Sequence, residues 1–132
     1  MSMSDYVKSA DFKTEKHVPV IDAPAKIVAG QPFSVAVTVG KDIPHPNVAE
    51  HFIAWVSLFY KSDDGKFVFQ LGKADFMSHG ESAEGAGKGP SFTEPAVTFT
   101  AKINKSGTLT AMSYCNIHGL WESSVRVDVS AG

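Results

Sequence analysis

Short runs of alternating apolar and polar residues, broken at close intervals by turn chemistry, constrain this chain more than any other feature. Ser34–Val39 puts Val35, Val37 and Val39 on one face with period two, the pattern of a half-buried strand. Val97–Ile103 alternates again, with Val97, Phe99, Ala101 and Ile103 opposite Thr98, Thr100 and Lys102. Val125–Val129 sets three valines against Arg126 and Asp128, and Phe52–Tyr60 is an aromatic and β-branched run expected to be buried on both faces. Phe67–Leu71 follows Ser62-Asp63-Asp64-Gly65, whose Asp-Gly pair suits a tight hairpin turn. Asn104-Lys105-Ser106-Gly107 then turns the chain into Thr108–Tyr114. The expectation is all-β: an antiparallel β-sandwich of about seven strands.

Two segments break the pattern. Ile43–His51 carries Pro44 and Pro46; each proline removes a backbone donor and restricts its predecessor, so this is a loop. Met77–Pro95 is rich in Gly, Ser and Glu and poor in apolar residues, an exposed connection. At 132 residues, with no repeat and no linker composition, the chain is expected to form one domain, 1–132. A hydrophobic share of 43% against 20% charged argues against disorder. The net charge of −2, with no basic block, argues against a nucleic-acid binder. A single cysteine excludes a disulfide framework and any CxxC site. Met1–Val7 lacks a basic stretch followed by an apolar one, and the longest apolar run is too short for a bilayer. A soluble, cytoplasmic protein is the expectation.

The chemistry lies in the histidines and the cysteine. Cys115-Asn116-Ile117-His118 sets a thiol and an imidazole three apart where a strand ends; a tight loop can turn both toward one ion, whereas a regular strand sends them to opposite faces. His45 and His51 sit in the proline-bound loop, and His17 precedes Val18-Pro19. Each has an ordinary reading when taken alone, since a lone cysteine is usually a small buried hydrophobe. Taken together, four histidines in loops or at strand ends read as a metal set. His79, in the polar connection, reads as an ordinary histidine. One thiolate and four imidazoles exceed the four-coordinate zinc shell; imidazole suits iron, copper and zinc, and thiolate the softer ions. Five ligands around an octahedral iron leave one position open.

In order along the chain, Glu15-Lys16-His17-Val18-Pro19, His45-Pro46 with His51, and Cys115-Asn116-Ile117-His118-Gly119-Leu120-Trp121 resemble the superoxide reductases: neelaredoxin and the catalytic domain of desulfoferrodoxin. The resemblance runs from about Ser9 to the C-terminus. It implies an immunoglobulin-like sandwich and one mononuclear non-haem iron per chain, with His17, His45, His51 and His118 in a plane and Cys115 axial. It implies that His118 binds through the other ring nitrogen from its three fellows. Glu15 is similar to the glutamate that takes the sixth position in the oxidised resting state, and Lys16 to the lysine beside the open site. The single cysteine cannot build the rubredoxin-like centre of the two-domain members, so the chain resembles the one-iron class, in which homotetramers are common. Asn47 stands where many members have methionine.

The activity implied is one-electron reduction of superoxide to hydrogen peroxide, with rubredoxin or a similar small redox protein as electron donor. The alternatives are a cupredoxin-like electron-transfer protein, a metal-free immunoglobulin-like interaction domain and a superoxide dismutase. No methionine follows His118 to serve as the weak axial ligand of a blue-copper site.

Overall fold

The structure, a computed structural model, describes residues 1–132. Eight strands follow a short 3-10 turn at Met3–Asp5: β1 (Pro19–Asp22), β2 (Lys26–Val28), β3 (Phe33–Val39), β4 (Ile53–Ser62), β5 (Phe69–Asp75), β6 (Ala96–Ala101), β7 (Gly107–Cys115) and β8 (Gly119–Ser130). They form two sheets, ordered β1-β3-β6 and β2-β8-β7-β4-β5. All pairings are antiparallel except β2 with β8. No helix is long and apolar enough to cross a membrane.

The expected alternation is visible in the burial. Phe33, Val35, Val37 and Val39 of β3 face inward and meet Val56, Leu58, Leu109, Ala111 and Val127 of the opposite sheet. Burying each such side chain fully contributes about 1.5–3 kcal/mol, which fixes which face of each strand is the inner one. Between the sheets, Gly72 of β5 leaves room for Phe99 of β6, whose ring would lie 2.6 Å from a β-carbon at that position.

The strands depart from the expectation in three places. β1 and β2, with Pro19 and Asp22 in one and three residues in the other, carry little alternation and exist because β3 and β8 offer them hydrogen bonds. β8 begins at Gly119 rather than Val125, since β7 pairs with it from Cys115↔Gly119 to Gly107↔Val127 and so templates a polar stretch. β5 starts at Phe69 and the connection from β4 spans residues 63–68, longer than the tight turn expected from Asp64-Gly65. Phe67 and Val68 lie exposed outside the strand.

The pairings fix one end of the sandwich. Pro19 of β1 lies beside Val39 of β3, and Ile53 of β4 beside Cys115 of β7. The segment before β1, the β3–β4 connection and the β7–β8 turn therefore meet there.

Candidate metal centre

Those three segments carry His17, His45 with His51, and Cys115 with His118 respectively. The ring nitrogens and sulfur of His17, His45, His51 and Cys115 all lie within 4.8 Å of one another. Nδ1 of His118 lies 3.0 Å from Nε2 of His17, 3.2 Å from Nε2 of His51 and 3.7 Å from Sγ of Cys115. Going round the cluster, ring centroids are 4.5 Å apart for His17–His118, 5.0 Å for His118–His51, 4.7 Å for His51–His45 and 4.9 Å for His45–His17. The diagonal His17–His51 is 6.2 Å. Four imidazoles thus stand at the corners of a rough square. Cys115, fully buried, closes it from the core side, while His118 is exposed.

Hydrogen bonds on the outer nitrogens set which atoms face inward. His17 Nδ1 donates to Glu15 Oε1 at 2.5 Å, and His45 Nδ1 donates to the carbonyl of Pro46 at 2.7 Å. Each neutral ring has one N–H, so both Nε2 atoms are left as lone pairs aimed into the cluster. Nε2 of His45 is buried with no hydrogen-bond partner. Nδ1 of His118 faces the lone pair of His17 Nε2, with His51 Nε2 and Cys115 Sγ also against it. Such crowding of lone pairs is costly unless a cation sits among them. With metal–imidazole distances of about 2.1 Å, a square of four nitrogens has edges of about 3.0 Å, close to the 3.0 and 3.2 Å edges here. The donor set fits a first-row transition ion, and His118 turns Nδ1 inward where the others turn Nε2.

Neutral rings are favoured. Burial pushes His45 down to about 4, against the opposing pull of the Pro46 carbonyl. Burial lowers His17 as well, with Glu15 opposing, and lowers His51, helped by the neighbouring rings and by the Lys16 ammonium. The Lys16 charge is felt at His17, His45 and His51 alike, so a positive group stands beside the cluster.

Glu15 faces the outside of the His17 ring rather than the centre of the cluster. Burial works to raise its carboxyl, but the ring and backbone N–H groups of His17 outweigh this and hold it below the ordinary range. The arrangement is a carboxylate–histidine pair of the kind that orients a ligand and raises its basicity.

Three further residues hold the site together and were not assigned roles from sequence. Asn116 accepts from the N–H of Phe52 at 2.8 Å and donates to the carbonyl of Glu50 at 2.9 Å, so it ties the β7–β8 turn to the loop bearing His51. Trp121 stacks on His17 at 5.1 Å and donates to the carbonyl of His118. The buried hydroxyl of Ser113 donates to the carbonyl of His17. Asn116 and Trp121 stand inside the Cys115–Trp121 motif, which was the available signal; Ser113 had none. His79 lies outside the cluster, buried at 2% exposure.

The family model described as Desulfoferrodoxin matches residues 9–124. Neelaredoxin of Megalodesulfovibrio gigas is 47% identical over 127 residues, covering 96% of this chain and 98% of that protein. Superoxide reductase of Pyrococcus furiosus is 44% identical over 126 residues, covering 96% and 99%. A solved structure from Thermotoga maritima, 51% identical, superposes with a TM-score of 0.96 over 98% of each chain.

Proposed function

The chain belongs to the desulfoferrodoxin family, and on that premise we propose that it reduces superoxide at one iron ion held by His17, His45, His51, His118 and Cys115. The reaction adds one electron and two protons to superoxide and gives hydrogen peroxide. The observation that carries this reading is the convergence of four inward nitrogens and one thiol sulfur at the end of the sandwich. The protein is an oxidoreductase acting on superoxide. Iron bound there supplies the one-electron redox couple and an electrophilic position for the anion.

The residues do the rest. Cys115, reached by the backbone N–H of His118 at 3.4 Å, offers a buried soft donor from the core side and leaves the outer side for the substrate. Distant charges are screened beyond roughly 8 Å at physiological ionic strength, so the overall charge of −2 counts for less than Lys16. Its ammonium draws the anion toward the cluster and orders water that delivers the protons. Glu15 fixes His17; to reach the open side, as the resemblance implies for the oxidised resting state, its carboxylate must first release Nδ1.

The finer assignments rest on family likeness: a single domain of 1–132 with one iron, a homotetramer in the cytoplasm, and rubredoxin or a similar small redox protein as donor. The test is iron and copper content per chain after purification without added metal, followed by a donor-coupled superoxide assay. About one iron per chain, with donor-dependent loss of superoxide and no evolution of oxygen, supports the reading. Copper in place of iron, or oxygen release without a reductant, overturns it.

A further inference from the structure

The fifth histidine sits in a joint that the metal reading leaves unused. His79 lies in the polar connection between β5 and β6, yet it is 2% exposed. Its ring stacks on Phe52 with centroids 3.8 Å apart and planes 12° from parallel. Nδ1 is 2.7 Å from Oδ1 of Asn47, and Nε2 is 2.7 Å from the carbonyl of Phe76. The Asn47 amide is oriented by its other end, where Nδ2 donates to the carbonyl of Thr93 at 3.0 Å; reversed, two oxygens would face each other. Both ring nitrogens of His79 therefore meet acceptors, and only the doubly protonated ring donates from both.

A buried cation needs a counter-charge. Glu81 is the carboxylate at hand: its Oε1 accepts from the backbone N–H of His79 at 2.6 Å. That N–H, its own backbone N–H and the His79 charge outweigh desolvation and hold its carboxyl below the ordinary range. The two residues gripped are placed to matter. Asn47 is two positions after His45, and Phe52 directly follows His51, so His79 grips the ligand-bearing loop near both histidines.

We propose that His79, as an imidazolium donating from both ring nitrogens, is the positioning residue that holds the His45–His51 loop at the spacing of the metal centre. The inference rests on the reading of His45 and His51 as ligands. It acts behind the ligands, as outer partners of metal sites do, where losses of about 10–100-fold in affinity are typical.

The experiment compares iron release to an excess of chelator, without oxygen, from the iron-loaded parent and from His79→Phe, Asn47→Leu and the double variant. His79→Phe keeps a ring to stack on Phe52 and removes both donors. Each single variant is expected to release iron about 10–100-fold faster, and the double variant no faster than the faster single, because both break one joint. Neutron diffraction from the parent holoprotein is expected to show deuterium on both ring nitrogens of His79. Unchanged release from His79→Phe, multiplying effects in the double variant, or deuterium on one nitrogen alone overturns the proposal. If His79→Phe does not fold, Asn47→Leu and the neutron map still decide. A parent that takes up no iron overturns the metal reading and this inference with it, whereas an iron-bearing parent matched by its variants overturns the inference only.

Discussion

At the scale of single residues, the site is governed by which nitrogen of each imidazole is already engaged. Glu15 occupies Nδ1 of His17 and the Pro46 carbonyl occupies Nδ1 of His45, so the inward lone pairs exist before any ion arrives. Replacing Glu15 with Ala frees the His17 ring and its tautomer. Iron affinity is expected to fall by about 10–100-fold, and the ferric visible spectrum to change. An unchanged spectrum with unchanged affinity would show that Glu15 neither orients His17 nor reaches the open side. Lys16 acts on capture of the anion through its charge. Lys16→Ala is expected to slow superoxide capture by roughly tenfold at low ionic strength and to flatten the salt dependence, with iron content unchanged. Pulse radiolysis across a salt series measures both, and a parent-like rate at low salt would remove the steering role.

At the scale of elements, turns and strand ends carry the candidate ligands, and their geometry is enforced by close packing. Gly40 ends β3 with φ of +82°, and a β-carbon there would lie 2.6 Å from the backbone nitrogen of His45. Because that atom is backbone, it cannot swing aside. Gly40→Ala is expected to displace His45 and leave protein that folds but is purified with markedly less iron, as elemental analysis would show. Far from the cluster, Arg126 of β8 donates to both carboxylate oxygens of Asp63 in the β4–β5 connection, at 2.9 and 2.7 Å, and to Asp128 at 3.0 Å. The Arg126 hydrogen bonds hold the Asp63 carboxyl below its ordinary value, against the opposing effect of desolvation. The pair therefore adds stability above the ordinary Asp range and loses it as acid protonates Asp63. Arg126→Gln is expected to return the Asp63 titration, followed by carbonyl NMR, to the ordinary range. A titration that stays depressed would assign the effect elsewhere.

At the scale of the whole molecule, one ion would join three chain segments drawn from both sheets. A ligand that binds only the folded form stabilises it by about 2.7 kcal/mol at a free concentration a hundredfold above Kd. Removing iron is therefore expected to lower the thermal midpoint clearly, as scanning calorimetry without oxygen would record. An identical midpoint for the iron-free protein would mean that the three segments are held by their own hydrogen bonds alone, through Asn116, Ser113 and Trp121.

The sequence alone carries the inner faces of β3, β6 and the end of β8, because alternation is a local property that burial must obey. It also determined the five metal-site candidates, whose residue types and order are legible without coordinates. The tertiary structure decided what depends on partners distant in the chain. β1 and the first half of β8 are strands only because β3 and β7 template them. Glu15 faces His17 rather than the open side because the His17 N–H groups capture its carboxylate. His79, ordinary in a polar stretch, becomes a buried donor because folding brings Asn47, Phe52 and the Phe76 carbonyl around it, and residues 32 positions apart in sequence come within hydrogen-bonding distance. Hydrogen bonds between remote segments have no periodicity to betray them, so they become visible only once the chain has closed on itself.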